Sequence, residues 1–356
     1  MTNIKDSVFK IITSSWMWTW FIIKDNELVI TNYHVVKWSK QVAVEDSSKN
    51  RFVAKVVMVN PDIDLAFLRV DKLSVKSDIK LQEDINLSST DKIFTHGYPF
   101  GMPYTITEWI VSSPDQLMEW KTYLQTDAAV NPGNSWWPML NKDWYLVAVT
   151  TVKFTDADNV WFWIKHTDLL KELKDYKSKN FKDNIYHVKC NSCDNFIEKE
   201  TEFCDNCWND IDSSVFDEFE KSNISKFIEK TLKKAKINPI ICRWWRDYWE
   251  FHQWNALISI FVTNTSYLFI QAPLNKLPKQ NLDKLLTFIN SNKVPPFHLN
   301  INDNKIYLWY RIHSSSILSS KKDEISDNII DFIEKTSELD KFFKKEFDCE
   351  LAVESR

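Results

Sequence analysis

The sequence predicts a multidomain chain: an all-β, barrel-forming first half, a small four-cysteine segment, and a C-terminal α+β domain. Three observations predict it. Residues 8–165 break into short apolar runs separated by turn residues, with little helical period, which is the pattern of a sandwich or barrel. Two Cys-x-x-Cys pairs, Cys190/Cys193 and Cys204/Cys207, are separated by ten residues, a metal-ligand spacing. From residue 213 onward, helix-spaced and strand-spaced apolar patterns alternate.

The expected strands of the first half lie near 21–23, 28–31, 41–44, 52–59, 65–70, 92–95, 105–111, 123–126 and 145–152. Residues 166–176 then place Leu169, Leu170 and Leu173 on one helical face, with Thr167 or Asp168 as N-cap, so a helix closes a first domain spanning 8–176. A polar stretch at 177–189 leads into the cysteine pairs, giving a linker and metal-binding segment over 177–212. The third domain, 213–356, opens on a helix suggested by Phe216, Phe219, Ile224, Phe227, Ile228 and Leu232. Paired strands follow at 256–262 and 267–272, then a helix at 282–289, a hairpin turning at Asn302-Asp303-Asn304, and a long terminal helix at 325–347.

A chain of 356 residues with 44% hydrophobic content can bury several cores. A formal charge of −4, with basic and acidic residues interspersed, gives no field that would recruit nucleic acid or an anionic membrane. The first twelve residues lack the apolar core of a secretory leader, and no run is long enough to cross a bilayer, so the expected location is cytoplasmic.

The composition is inverted: 17 Trp and only 3 Gly, whereas glycine ordinarily takes about 7% of residues and tryptophan is rare. The locations matter more than the count. Trp144 ends the turn Asn141-Lys142-Asp143-Trp144, and Trp208 follows the Cys204-x-x-Cys207 pair; both positions ask for the left-handed backbone that glycine adopts at low cost. Trp136 and Trp137 crowd a candidate nucleophile at Ser135, and Trp16, Trp18 and Trp20 alternate along a strand entry. The pattern predicts a gene whose UGA codons encode glycine, as in some bacterial lineages. A Trp-rich chain would explain the count but not the positions.

Three segments carry chemistry: Thr31-Asn32-Tyr33-His34-Val35-Val36, Asp62-Ile63-Asp64-Leu65, and Asn131-Pro132-Gly133-Asn134-Ser135. A serine hydroxyl needs a base to take its proton, imidazole suits that role, and a carboxylate must hold the imidazole tautomer. The order His, Asp, Ser is that of chymotrypsin-type peptidases. With SSWMWTWFII, DIDLAFLRV, HGYPFGMPYTITEWIVSS and LQTDAAVNPGNSWWPML, residues 14–165 resemble the protease domain of the HtrA (DegP-like) family. The resemblance implies a chymotrypsin-like double β-barrel and a serine endopeptidase acting through an acyl-enzyme in protein quality control. His34 would be the general base, Asp64 its orienting carboxylate and Ser135 the nucleophile. Backbone N–H groups of Gly133 and Ser135, with the Asn134 peptide between them, would form the oxyanion hole. Thr150, Thr151 and Val152 would pair with substrate backbone, and Trp161, Phe162 and Trp163 would wall the S1 pocket. The PDZ domain usual in that family does not follow. His96, His166 and His187 read as structural, and Asp127 as a buttress of the active-site loop. The rival readings are a catalytically inactive peptide-binding adaptor and a zinc-ribbon scaffold.

Four cysteines at this spacing suit tetrahedral Zn²⁺, resemble a zinc ribbon, and leave no open coordination position, so the metal would be structural, with no cofactor in catalysis. The C-terminal domain faintly resembles the YbjN and type III secretion chaperone-like fold. It shows no catalytic cluster: Arg243, Arg246, Asp247, His252 and Arg311 read as surface or strand-face residues and Cys242 as a buried apolar residue. Expected partners are polypeptide substrates, a protein at the C-terminal domain and further copies of the chain, with neither membrane nor nucleic acid.

Overall fold

The computed structural model describes residues 4–352 apart from 13–16, 25, 72–76, 99–102, 119–120, 129–136, 154–160, 182–183, 255, 264–265 and 292. The chain divides into two compact units, residues 1–219 and 220–356.

The first unit opens with six strands, β1 (Val8–Ile12), β2 (Met17–Ile22), β3 (Leu28–Thr31), β4 (Gln41–Glu45), β5 (Arg51–Asn60) and β6 (Leu65–Val70). They run in the order β5-β4-β1-β2-β3-β6, and β6 pairs back onto β5, so the sheet closes on itself. Six more strands, β7 (Lys92–Gly97), β8 (Thr105–Met118), β9 (Lys121–Thr126), β10 (Pro138–Asn141), β11 (Leu146–Lys153) and β12 (Trp161–Lys165), form a second closed barrel. These runs are rich in Val, Ile, Thr and aromatics, which fit a pleated, half-buried surface, and closure pairs the strands that would otherwise be edges. The double β-barrel expected from the sequence is therefore present.

Helix α1 (Tyr33–Val36) interrupts the first barrel between β3 and β4, and α2 (His166–Ser178) follows the second. Leu169 and Leu173 of α2 bury against Phe67, Met58 and Leu140, a cluster shared by both barrels. Two short strands, β13 (His187–Lys189) and β14 (Phe196–Ile197), extend the first barrel's sheet, because β13 pairs in parallel with the end of β5 through His187↔Met58 and Val188↔Val59.

The second unit holds α3 (Asn223–Lys234), α4 (Pro239–Cys242), β15 (Arg243–Trp245), β16 (Tyr248–Gln253), β17 (Ala256–Val262), β18 (Tyr267–Lys276), α5 (Leu282–Asn290), β19 (His298–Asn302), β20 (Lys305–His313), α6 (Ser314–Ile317) and α7 (Lys322–Phe347). Its strands form one antiparallel sheet ordered β15-β16-β17-β18-β20-β19. Alternate residues Ile258, Ile260, Leu268, Ile270 and Leu308 bury against Phe227, Leu232, Ile329 and Phe332 of α3 and α7, an α+β arrangement. The β19–β20 hairpin turns on Asp303 and Asn304, both at positive φ, as a two-residue turn between paired residues 302 and 305 requires.

Two sequence expectations are revised here. The first helix begins at Asn223, capped by the Ser222 hydroxyl; Phe216 lies in a short 3-10 turn and buries in the first unit's core, so the apolar spacing of 216 and 219 does not continue the helix. Arg243, read as a surface or strand-face residue, is buried and ion-paired with Glu229.

Candidate functional site

His34 sits on the single turn of α1, directly after Asn32 and the apolar strand β3. Asp64 ends the 3-10 turn at Pro61–Ile63, where the Asn60 side chain accepts from the Asp62 N–H, and it opens β6 with left-handed backbone at φ 53. Strand β3 pairs with β6, Thr31 opposite Ala66, which brings the two segments together.

The imidazole and carboxylate meet squarely: His34 Nδ1 lies 2.9 Å from Oδ1 and 2.8 Å from Oδ2 of Asp64. The His34 backbone N–H also donates to Asp64 Oδ1 at 3.0 Å, and Asn32 Nδ2 donates to Oδ2 at 3.2 Å. An ionised carboxylate only accepts, so the neutral ring carries its proton on Nδ1 and leaves Nε2 as the basic nitrogen. Asp64 is buried while the His34 side chain is 40% exposed, a carboxylate behind an accessible base.

Asn32 was not singled out from the sequence, although it stands two residues before His34. Fully buried, it donates a second hydrogen bond to the carbonyl of Thr150 at 2.9 Å, linking the first barrel's acid to β11 of the second. Thr150 in turn donates from Oγ1 to the Trp137 carbonyl at 3.3 Å. Ser135, Gly133 and Asn134 lie outside the described residues. Their loop is bracketed by Ala128 and Trp137, both buried, and by Asp127, whose Oδ1 accepts from the Ile110 N–H at 2.8 Å.

Among the residues expected to meet substrate, Thr150 and Trp163 are buried and paired across β11 and β12. The register slips between Thr150 and Val152, leaving Thr151 as the extra residue before Val152↔Phe162 and Lys153↔Trp161. Strand β10 starts at Pro138, opposite Val149, so beyond that point the far flank of β11 has no strand partner among the described residues. Three other histidines of the first unit are structural: His166 reaches the carbonyls of Val147 and Glu83, His187 the carbonyl of Val57, and burial lowers His96 to about 4, so it stays neutral.

Cys190, Cys193, Cys204 and Cys207 bring their sulfurs within 4.8 Å of one another, close enough to hold a metal. The two knuckles are congruent. Cys190 N–H bonds the Asn195 carbonyl at 2.8 Å and Cys204 N–H that of Asn209 at 2.9 Å. Asp194 (φ 59) and Trp208 (φ 61) occupy the same left-handed position after each pair.

Trp38, Trp144 and Trp254 share that conformation, at φ 66, 65 and 55. A β-carbon there costs about 1–2 kcal/mol, which is why glycine dominates such sites. Trp144 follows a turn closed by Asn141, and Trp254 opens the two-residue loop between paired Gln253 and Ala256. Trp137 lies so tightly on Gly97 that a Cβ at 97 would overlap its indole, and the buried indole N–H groups of Trp137, Trp163 and Trp249 lack acceptors among the described residues. Trp20 differs: it stacks on Phe9 and donates to the Lys10 carbonyl at 2.6 Å.

A family model described as a trypsin-like peptidase domain matches residues 19–149. A probable periplasmic serine endoprotease, DegP-like, of Pseudomonas putida is 34% identical over 138 residues, covering 38% of this chain and 29% of its own length. Its namesake in Chlamydia muridarum is 30% identical over 137 residues, covering 37% of this chain and 27% of its own. The chain thus spans less than a third of these curated relatives. A solved serine endoprotease from Yersinia pestis is similar at 23% identity and TM-score 0.43, over 50% of this chain and 64% of that one. These relatives are named as periplasmic, which overturns the cytoplasmic placement expected from the sequence; no helix among the described residues is long and apolar enough to cross a membrane. The stretch that the family model and the relatives match is the one folded into the two barrels, and over that stretch the first half of this chain is similar to the trypsin-fold peptidase domain of DegP-like serine endoproteases.

Proposed function

We propose that the chain is a serine endopeptidase that hydrolyses polypeptides through His34, Asp64 and Ser135. The observation that carries this reading is the His34–Asp64 pair, with Nδ1 committed to the carboxylate and Nε2 left to act as base. As Ser135 Oγ bonds to the scissile carbonyl carbon, Nε2 accepts its proton, and Asp64 stabilises the resulting imidazolium. Backbone N–H groups of Gly133 and Ser135, flanking the Asn134 peptide, receive the oxyanion. Collapse breaks the C–N bond, and His34 returns the proton to the leaving amine. Water, deprotonated by the same nitrogen, then hydrolyses the ester and regenerates Ser135. Thr150, Thr151 and Val152 extend a strand along which the substrate backbone aligns, and Trp161, Phe162 and Trp163 flank the pocket for the residue before the cut.

This chemistry needs room beside the nucleophile, which two indoles at 136 and 137 would fill. The reading therefore includes glycine at most tryptophan positions of the native product, supported by the left-handed backbone at 38, 144, 208 and 254.

The cysteine cluster holds a structural zinc. The Cys190–Cys207 and Cys193–Cys204 sulfur separations are 3.7 and 3.6 Å. A tetrahedron with Zn–S bonds of about 2.3 Å has edges of roughly 3.8 Å, whereas a disulfide would need about 2.0 Å. A zinc ion there would supply folding energy, and the acyl-transfer chemistry would run without it.

The test is a fluorophosphonate probe on the full-length chain. Labelling that Ser135→Ala or His34→Ala abolishes is the expected result, and a chain that takes no label with both residues intact defeats the peptidase reading.

A further inference from the structure

We propose that the four-cysteine site clamps the helix bearing His34, so that metal content sets the competence of the peptidase; this rests on the reading above. A ribbon acting only as a spacer would be joined by exposed linkers and would bury its sulfurs within itself. Here the sulfurs are built into the catalytic barrel. Cys190 and Cys204 are completely buried, and they share one apolar cluster with Tyr33, Val35 and Val36, the residues around His34 on α1. Val188, Ile197, Val215 and Phe216, from the strands and turn that frame the cysteines, belong to the same cluster, together with strand residues of the first barrel.

The attachment reaches both members of the catalytic pair. On one side β13, ending one residue before Cys190, pairs with Met58 and Val59 of β5, and β5 runs directly into Asn60 and the turn that presents Asp64. On the other side the chain leaving the second knuckle returns to the segment just past α1, where the Phe219 N–H donates to the Trp38 carbonyl at 2.8 Å, and the Tyr186 hydroxyl holds the Val215 carbonyl at 2.7 Å. A third anchor is Lys189, buried with its ammonium on Glu172 and Asp175 of α2 and on Asp194.

What holds the ribbon itself together is slight. Its β13–β14 hairpin has two paired positions, the second knuckle adds a single antiparallel bridge, Phe203↔Asp210, and the knuckles are linked by Asn195 Nδ2 to Asp205 at 2.8 Å and Asn209 Nδ2 to Asn191 at 2.9 Å. A segment of this size has too little core to fold alone, so a metal in the cluster would carry most of its stability. Losing the metal therefore frees the sulfurs, loosens β13 and the 213–219 turn, and removes one wall of the core under Tyr33, Val35 and Val36. The core of the second barrel, around Ile93, Val111, Leu124, Met139 and Val147, includes no residue of the ribbon and keeps its packing.

The experiment uses the full-length chain with reduced cysteines. Zinc is quantified, removed with a chelator and restored, while hydrogen exchange is followed at 33–36, 58–64, the second barrel and the second unit, alongside fluorophosphonate labelling. The expected result is about one zinc per chain, a rise of about tenfold or more in exchange at 33–36 and 58–64 on its removal, slower labelling, and recovery of both on adding zinc. Exchange in the second barrel and at 256–276 stays constant. A chain that binds no zinc, exchange at 33–36 that ignores metal, or a uniform rise through β7–β9 overturns the clamp. If the metal-bound chain never takes the probe while exchange at 33–36 still follows zinc, the peptidase reading fails and the clamp stands.

Discussion

Asn32 donates to the Asp64 carboxylate at 3.2 Å from the amide nitrogen that also reaches the Thr150 carbonyl at 2.9 Å. One buried side chain thus fixes the acid of the first barrel against the strand of the second. A hydrogen bond to a charged group is worth about 1.5–3 kcal/mol, so Asn32→Ala lowers kcat/KM on a peptide substrate by roughly 10–100-fold. Asn32→Asp, which sets a second carboxylate against Asp64, does at least as much damage. An Asn32→Ala enzyme with unaltered kcat/KM would remove this residue from the machinery.

Asp64→Asn preserves shape but offers an amide where the ring needs a pure acceptor. The imidazole then loses its assigned tautomer, and the rate of fluorophosphonate labelling falls by about four orders of magnitude. Loss of less than about tenfold would mean that Asp64 does not orient His34.

Peptide sequencing of the natural product by mass spectrometry finds glycine at 38, 144, 208 and 254. In a recombinant chain bearing indoles, Trp144→Gly and Trp254→Gly each stabilise the fold by roughly 1 kcal/mol, read as a higher denaturant midpoint. Indoles at 144 and 254 in the natural product would end the recoding proposal.

Asp340 is buried in α7, and its Oδ1 has no hydrogen-bond partner among the described residues. Burial raises it to about 7, above its ordinary 3.8, so the fold favours the protonated acid. That contribution is complete below about pH 4 and is lost as pH rises through about 7. Asp340→Asn therefore raises the Tm of the second unit's transition at pH 8 by about 5 °C or more, with the gain shrinking toward pH 4. Equal gains at both pH values would show that the carboxyl does not titrate in the fold.

Much of the first half was legible because its signals are local. The strand-spaced runs and the His34 and Asp64 motifs each occupy a few consecutive residues. The bridge made by Asn32 was not, since its partner carbonyl is 118 positions away and backbone acceptors carry no sequence mark. Nor was the parallel pairing of β13 with β5, because three residues are too few to show a period. Phe216 misled for a related reason: its spacing to Phe219 and Ile224 suits a helix, but it ends a 3-10 turn and the chain turns extended at Asp217. The knuckles, by contrast, announced themselves through paired cysteines and the left-handed position at Trp208, while the matching one at Asp194 carried no such mark.

Among the described residues, the slipped register at Thr151 and the start of β10 at Pro138 leave one flank of β11 without a strand partner beyond Val149. A visitor lying there is gripped through amides and carbonyls that every residue possesses, so the grip is indifferent to most side chains. On the peptidase reading proposed above, such a site would take its substrates by whether a length of main chain hangs loose, so that loss of native structure in the target would be the signal for its cleavage.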